Sequence, residues 1–548
     1  MITGAQAIVR ALEAEQVTTV FGYPGAAIMP FYDALLDSSV KHVLTRHEQG
    51  AAHAASGYAR SSGRTGVCIA TSGPGATNLI TGIATAYMDS IPLVAITGQV
   101  VSSLIGSDSF QEADITGACS PFTKHTYLVR RAEDLPRIVR EAFYIASSGR
   151  QGPVLIDIPQ DVQTAFCPVP GPAEPDLPGY RPALEPDVAA LDQLADRLVQ
   201  AKRPILCAGG GVISAGASDA LRGLAEQLDL PVVTTLMGIG VLPAGHSHYL
   251  GTLGSHGVFA ANYALHQADL VVLAGARVGN RAMGSAAEIA RHAQIIHIDI
   301  DPAEIGKNIT TDLAIVGDIH LALDGLLDRR IAIRHADWLA QVQTIRDDAE
   351  FDAFTESPSS VVHPPTLLHL IGEACPPDTI LTTEVGQNQI WAANFFPVRQ
   401  PRTFISSGGM GTMGYGLPAA LGAKVAFPDR TVLAVSGDGS LQMSLQELGT
   451  IRQEKAAVKI VLLNNSRLGM VHEMQSLKYK RYSQVFLEEN PDFEHLALAY
   501  GFGYARLSSN DQIRTAVDAM LADPRPYLLE CIVSPQEPTL YPRKKGSA

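Results

Sequence analysis

Asp438 and Asn465 each stand where a β-branched run ends, TVLAVSGDG closing on Gly437-Asp438-Gly439 and IVLLNN on Asn464-Asn465. Their separation is about what a strand, a crossover helix and a neighbouring parallel strand occupy, so the spacing predicts both side chains at one sheet edge. One carboxylate, one amide oxygen and a backbone carbonyl form the kind of oxygen set that Mg²⁺ accepts while sharing its shell with phosphates. Gly437 and Gly439 let backbone N–H groups approach those phosphates, and a helix opening through Ser440 would turn its positive end to them. Alone, GDG reads as a tight turn and NN as an Asx turn. The pair at this spacing points to a metal–diphosphate site.

The elements that must carry these residues are short β-branched runs alternating with helical patterns: VTTVFG, HVLTR, GVCIATS, PLVAITG, then PILCAGG, LVVLAGA, IIHIDID, and finally TVLAVSGDG and IVLLNN. Such alternation predicts an α/β protein of doubly wound parallel sheets, with ligands beyond the strand ends. Proline-rich stretches near residues 167 to 187 and 355 to 365 read as linkers. They divide the chain into three expected domains, 1–165, 188–330 and 362–535.

At 548 residues the chain exceeds what one core organises, which agrees with several domains. A net charge of −14 with no long basic run argues against nucleic acid as a partner. The six cysteines, Cys68, Cys119, Cys167, Cys207, Cys375 and Cys531, form no CxxC pair and read as reduced packing residues. The N-terminal MITGAQAIVRALEAEQV has helical spacing and leads straight into a strand, and no apolar run has membrane-spanning length. A cytoplasmic enzyme is therefore expected.

GDG followed by NN at this separation resembles the fingerprint of thiamine-diphosphate enzymes. In them the Asp, the second Asn and a carbonyl two residues on, here that of Arg467, hold Mg²⁺ against the diphosphate. VGQNQIW (385–391) and SSGGMGTMGYGLPAA (406–420) resemble the family's cofactor segments. The resemblance implies cofactor contacts from Val385, Gly386, Gln387, Asn388 and Gly411, and from Leu468, Gly469 and Met470 after the second strand, with Met413 as the apolar prop of the bent cofactor. In the first domain it implies contacts from Pro24, Gly25, Thr71 and Asn78, beside the Gly73–Gly75 turn. RHEQGAAHAASGYAR resembles the segment that carries the catalytic Glu. Such a carboxylate, here Glu48, shares a proton with the cofactor's pyrimidine ring and promotes the tautomer that deprotonates the thiazolium. Taken alone, Glu48 would be a first-turn helix acid complementing the macrodipole. Phe110 and Gln111 in DSFQEAD match residues lining the substrate cavity.

Over nearly its full length the chain resembles the catalytic subunits of acetolactate (acetohydroxyacid) synthases. This implies decarboxylation of pyruvate and joining of the hydroxyethyl carbanion to a second 2-keto acid, giving 2-acetolactate. It also implies a homodimer or homotetramer with shared active sites and a place for a small regulatory subunit. The middle domain resembles the family's FAD domain through Gly209, Gly210 and Gly211, Gly254 and His256 in LGSHG, Gly275 and Arg277 in GAR, Asp299 in HIDID, and Asp318. Departures gather at the acceptor pocket. GARVGNRAMG keeps Arg281, which faces the second substrate's carboxylate in relatives, but has Gly279 and Asn280 where biosynthetic members have acids. Gln160 replaces a Lys, Met474 a Trp, and Asn388 a His. Other thiamine-diphosphate decarboxylases or lyases of the same fold are the alternative reading, although the His-His pair of the pyruvate-decarboxylase branch is missing.

Overall fold

A computed structural model describes residues 1–169, 175, 177–182, 184–284, 289, 291–354 and 361–541. The linker stretches near 167 to 187 and 355 to 365 lie partly outside the described residues, as does the basic tail beyond Tyr541.

Three six-stranded sheets, every pairing within them parallel, form the frame. In the first, the strands run in the spatial order Lys41–Leu44, Thr19–Gly22, Gly66–Ala70, Leu93–Gln99, Pro153–Pro159, His125–Leu128. The third has the same winding: Phe404–Ile405, Ile380–Thr383, Val432–Gly437, Val458–Asn464, Tyr527–Ile532, Gly503–Leu507. The middle sheet differs, ordered Tyr249–Thr252, Val232–Thr234, Pro204–Ala208, Leu270–Ala274, Gln294–Asp299, Leu313–Val316, the dinucleotide-fold sequence 3-2-1-4-5-6. Central strands such as Gly66–Ala70, Leu93–Gln99 and Pro204–Ala208 are buried throughout, which is why they read as continuous apolar runs rather than alternating ones.

Each sheet has a point where its winding reverses, and there the loops diverge to leave a crevice. In the first sheet it lies between Thr19–Gly22 and Gly66–Ala70, so Pro24, Gly25 and Thr71 emerge at it. In the third it lies between Ile380–Thr383 and Val432–Gly437, where Val385, Gly386 and Asp438 emerge. In the middle it lies between Pro204–Ala208 and Leu270–Ala274, flanked by Gly209–Gly211 and Gly275–Arg277.

The first and third domains pack through two helices of small residues, Glu48–Ser62 and Gly416–Ala426, which share one apolar core. Gly57 and Gly422 permit this approach: a Cβ on Gly57 would stand 2.6 Å from the Ala419 Cα, and one on Gly422 would run into the Ala54 carbonyl. Alanine enrichment in both helices thus serves backbone proximity. No described helix is long and apolar enough to cross a membrane, and all six cysteines are buried.

Candidate active site

Asp438 and Asn465 do converge. Their strands are adjacent, Gly437 opposing Leu463, and both side chains are buried. The crossover between them is not one long helix but a four-residue turn, Asp438–Leu441, followed by Glu447–Gln453, because the chain must first curl its amides around the carboxylate. Backbone N–H groups of Gly439 and Asn465 face Asp438, yet burial raises its pKa. Asn490 donates to Asp438 Oδ2 at 2.8 Å. Asn465 Oδ1 accepts from the Arg467 N–H at 3.2 Å, and its amide donates to Gln387 Oε1 at 2.9 Å. Among the described residues no three His, Cys, Asp or Glu side chains cluster to hold a metal. A cation here would rest on one carboxylate plus amide, carbonyl and phosphate oxygens, a donor set that suits Mg²⁺ and not zinc.

The surrounding cradle is built for backbone approach. A Cβ on Gly439 would come within 2.6 Å of Leu468, and one on Gly469 would strike the Gln387 amide. Gly386 (φ +139°) turns the chain with Asn388 folded over it; Asn388 is buried and its Oδ1 lacks a protein partner. Ser440 Oγ closes the GDG turn onto Gly437. Met413 follows the Gly411 turn (φ +69°), whereas Val385, Gly411 and Met470 also border the large central cavity.

Glu48 opens its helix after the extended His47. Its Oε2 accepts from the Asn78 amide at 2.9 Å, and a Cβ on Gly75 would lie 3.3 Å from Oε1. Gly25 sits against Thr71, whose hydroxyl accepts from the Ala27 N–H. Pro24 is exposed. Gln111, at φ +59°, presses on the Gly73 turn, and Phe110 is 87% exposed. Among the described residues no hydrogen bond or ion pair joins the Glu48 group to the Asp438 group.

A cavity of about 1150 Å³ opens where the three domains meet. Gly210, Gly211, His256, Gly275, Arg277, Asp299 and Asp318 line it, as do Arg281, Gly279 and Asn280. Gly209 and Gly254 are not in its wall: Gly209 stands against the Gly275 carbonyl and Gly254 under that of Arg281. Arg281 makes no ion pair among the described residues, and burial, followed by the Arg281 charge, lowers the pKa of His256. Gln160 reaches the Ala26 carbonyl at 3.5 Å, and Met474 is 40% exposed on the helix Gly469–Tyr479.

Three residues escaped the sequence reading. Asn490 lies 52 positions from its partner Asp438 in a loop with no motif. Glu384, fully buried, accepts from the N–H groups of Gly414 and Leu417, and burial pushes its pKa up to about 7. Asp89 receives the amides of Gly408 and Gly409. The acid before VGQNQ was the one available signal.

Sequence comparison agrees with this architecture domain by domain. Residues 2–118 match the N-terminal TPP binding domain of thiamine pyrophosphate enzymes, 191–326 their central domain and 384–531 their C-terminal TPP binding domain. The fold and these matches define a thiamine-diphosphate enzyme. The chain is 47% identical to the probable acetolactate synthase large subunit of Methanocaldococcus jannaschii, over 97% of this chain and 92% of that one. It is 47% identical to the acetolactate synthase isozyme 2 large subunit of Escherichia coli (98% and 96%) and 42% to the large subunit of Lactococcus lactis (98% and 94%). The chain belongs to the acetolactate synthase large-subunit family, whose activity is thiamine-diphosphate-dependent acetolactate synthesis.

Proposed function

We propose that the chain decarboxylates pyruvate and joins the two-carbon fragment to a second pyruvate, giving 2-acetolactate. The observation that carries this reading is the convergence of Asp438, Asn465 and the Arg467 backbone at the reversal of the third sheet, matched by Glu48 beside the reversal of the first. Thiamine diphosphate, when bound, supplies the electron sink for decarboxylation. The protein's part is to bind, orient and exclude water. Asp438, Asn465 and the Arg467 carbonyl would hold Mg²⁺, Gly439 and Ser440 would offer amides to the diphosphate, and Val385, Gly386, Gln387, Asn388, Gly411, Leu468, Gly469 and Met470 would form its cradle. Asn388 has the free buried acceptor such a role requires. Met413 would prop the bent cofactor.

Glu48 would hold a proton at the pyrimidine ring, oriented by Asn78, with Pro24, Gly25 and Thr71 forming the floor. Among the described residues no hydrogen bond or ion pair links its group to the metal group, and apolar side chains remain exposed on both domains, Phe110 on the first and Leu477, Tyr479 and Phe486 on the third. A homodimer in which the first domain of one copy faces the third of the other would complete the site. The central cavity and its glycine cradle would hold FAD, Arg277 supplying a cation for its diphosphate and Asp299 or Asp318 an acceptor for a ribose hydroxyl. The relatives are named large subunits, and we infer a small regulatory partner here too.

At the acceptor side, Phe110, Gln111 and Arg281 would receive the second keto acid. Among the described residues Arg281 has no acid to clamp its donor fork, and Met474 offers a flexible thioether where relatives present a flat indole. A one-methylene preference is worth only about 1–3 kcal/mol, so selectivity for 2-ketobutyrate should be weak. The test is product identification from pyruvate alone and from equal pyruvate and 2-ketobutyrate. Acetolactate, with acetohydroxybutyrate in no large excess, supports the proposal. Acetaldehyde as the sole product would overturn it in favour of simple decarboxylation.

A further inference from the structure

A buried carboxylate stands where all three domains meet. Asp89 ends the helix Ile80–Asp89 of the first domain, its side chain 1% exposed. Its Oδ1 accepts from the Gly409 N–H at 2.6 Å and its Oδ2 from the Gly408 N–H at 3.2 Å. Arg60 lies 3.7 Å from Oδ2 and donates to the Ser406 carbonyl and the Tyr415 hydroxyl, bracketing the same loop. One helical turn before Asp89, the Thr85 and Thr412 hydroxyls meet at 2.7 Å.

One side of the loop is pressed closely against its neighbours. A Cβ on Gly409 would stand 2.8 Å from the Met88 carbonyl, and one on Gly408 would stand 2.6 Å from Met237 Sδ of the middle domain. Its near end, Gly408 to Gly411, lines the central cavity together with Asp89, Arg60 and Met237. Arg277, in the same wall, is close enough for its charge to act on Asp89. At its far end lie Thr412, Met413 and Gly414, and Glu384 fixes the Gly414 amide at 2.7 Å. Seven residues pinned at Asp89, Thr85 and Glu384 therefore form the shared wall of two sites.

We propose that Asp89 is a positioning residue that couples filling of the central cavity by a flavin to the seating of thiamine diphosphate, by holding the amides of Gly408 and Gly409. The inference rests on the cofactor assignments proposed above. Without the carboxylate the Gly408 and Gly409 amides lose their acceptor and the loop is free to relax away from both sites. Coupling of this kind is reciprocal, each ligand raising the other's affinity by the same factor.

The experiment uses the full chain freed of cofactors. Thiamine diphosphate with Mg²⁺ is titrated by calorimetry with and without FAD, and FAD is titrated by its fluorescence with and without thiamine diphosphate and Mg²⁺. In the native protein each ligand should tighten the other by about fivefold or more. Asp89→Ala should bring that factor close to one while FAD still binds, and Asp89→Asn, which keeps one acceptor, should fall between. If Asp89→Ala does not fold, Asp89→Asn and Thr85→Val carry the test and must lower the factor. Equal factors in native and variant proteins, or no coupling in the native protein, overturn the proposal. Absence of thiamine-diphosphate binding to the native chain would instead refute the cofactor assignment.

Discussion

The Asn78 side-chain amide donates to Glu48 Oε2 at 2.9 Å, joining the turn after one strand to the first turn of the helix after another. That bond leaves Oε1 as the oxygen free to share a proton with a ligand. Glu48→Gln is expected to lower kcat by about 10²- to 10⁴-fold, the usual yield of a positioned acid or base. Calorimetric affinity for thiamine diphosphate should change far less. Asn78→Ala should cost less in kcat than Glu48→Gln, because it releases the carboxylate without removing it. A Glu48→Gln enzyme with native turnover would remove Glu48 from the chemistry.

Removing the divalent cation tests the Asp438 group directly. With thiamine diphosphate and Mg²⁺ about a hundredfold above their Kd, linkage predicts about 2.7 kcal/mol of added stability. A chelator should abolish the rise in Tm, and returning Mg²⁺ should restore it. Asp438→Ala should show no rise under either condition. A thiamine-diphosphate-dependent rise that persists in chelator would show that no metal bridges the two.

Asp157 gives the fold a pH dependence. It accepts from Thr97 Oγ1 at 2.7 Å and from Gln99 Nε2 at 3.0 Å, and Gln99 also holds the Ala113 carbonyl of the segment bearing Phe110 and Gln111. Burial, aided by Asp114, pushes its pKa up to about 7. A carboxyl raised in the folded state binds its proton there but not in the unfolded chain once the pH passes about 4. This group's contribution is thus greatest below pH 4, declines as pH rises towards 7 and is then constant, a span of up to about 4 kcal/mol. The Asp157→Asn protein should gain on the native protein in urea midpoint between pH 4.5 and pH 8. A difference independent of pH would contradict the assignment.

Two glycine substitutions should act in opposite directions. Gly57→Ala places a methyl 2.6 Å from the Ala419 Cα at the contact between first and third domains, and should destabilise by about 1–3 kcal/mol. Gly223→Ala, at a half-buried position of the helix Ser218–Leu228, meets nothing nearer than the Leu327 methyls at 3.7 Å and should stabilise by about 0.5–1 kcal/mol. Thermal unfolding of the two variants side by side checks both signs.

Much was legible beforehand because this chemistry is written locally. A strand that ends in GDG and another that ends in NN declare their own positions, since βαβ geometry puts consecutive strand ends on one edge. The glycine segments of the middle domain announced a crevice for the same reason. Asn490 was silent, an amide in a loop with no period, and Glu384 showed only as the acid before VGQNQ, with no spacing that links it to Gly414.

By itself, then, the amino-acid sequence determined three parallel α/β sheets, and it set the roles proposed for Asp438 and Asn465 and, through its surrounding segment, for Glu48. Only the tertiary structure decided which residues stand behind them. It placed Asn78 on Glu48, gave Arg281 no carboxylate among the described residues, moved Gly209 and Gly254 out of the cavity wall, and set Asp89 against the Gly408–Gly409 amides. The last of these depends on how separate sheets pack, through close helix crossings at Gly57 and Gly422, and the others join distant turns of one domain. Strand periodicity records what lies on one face of one element and holds no information about which distant backbone will be pressed against it.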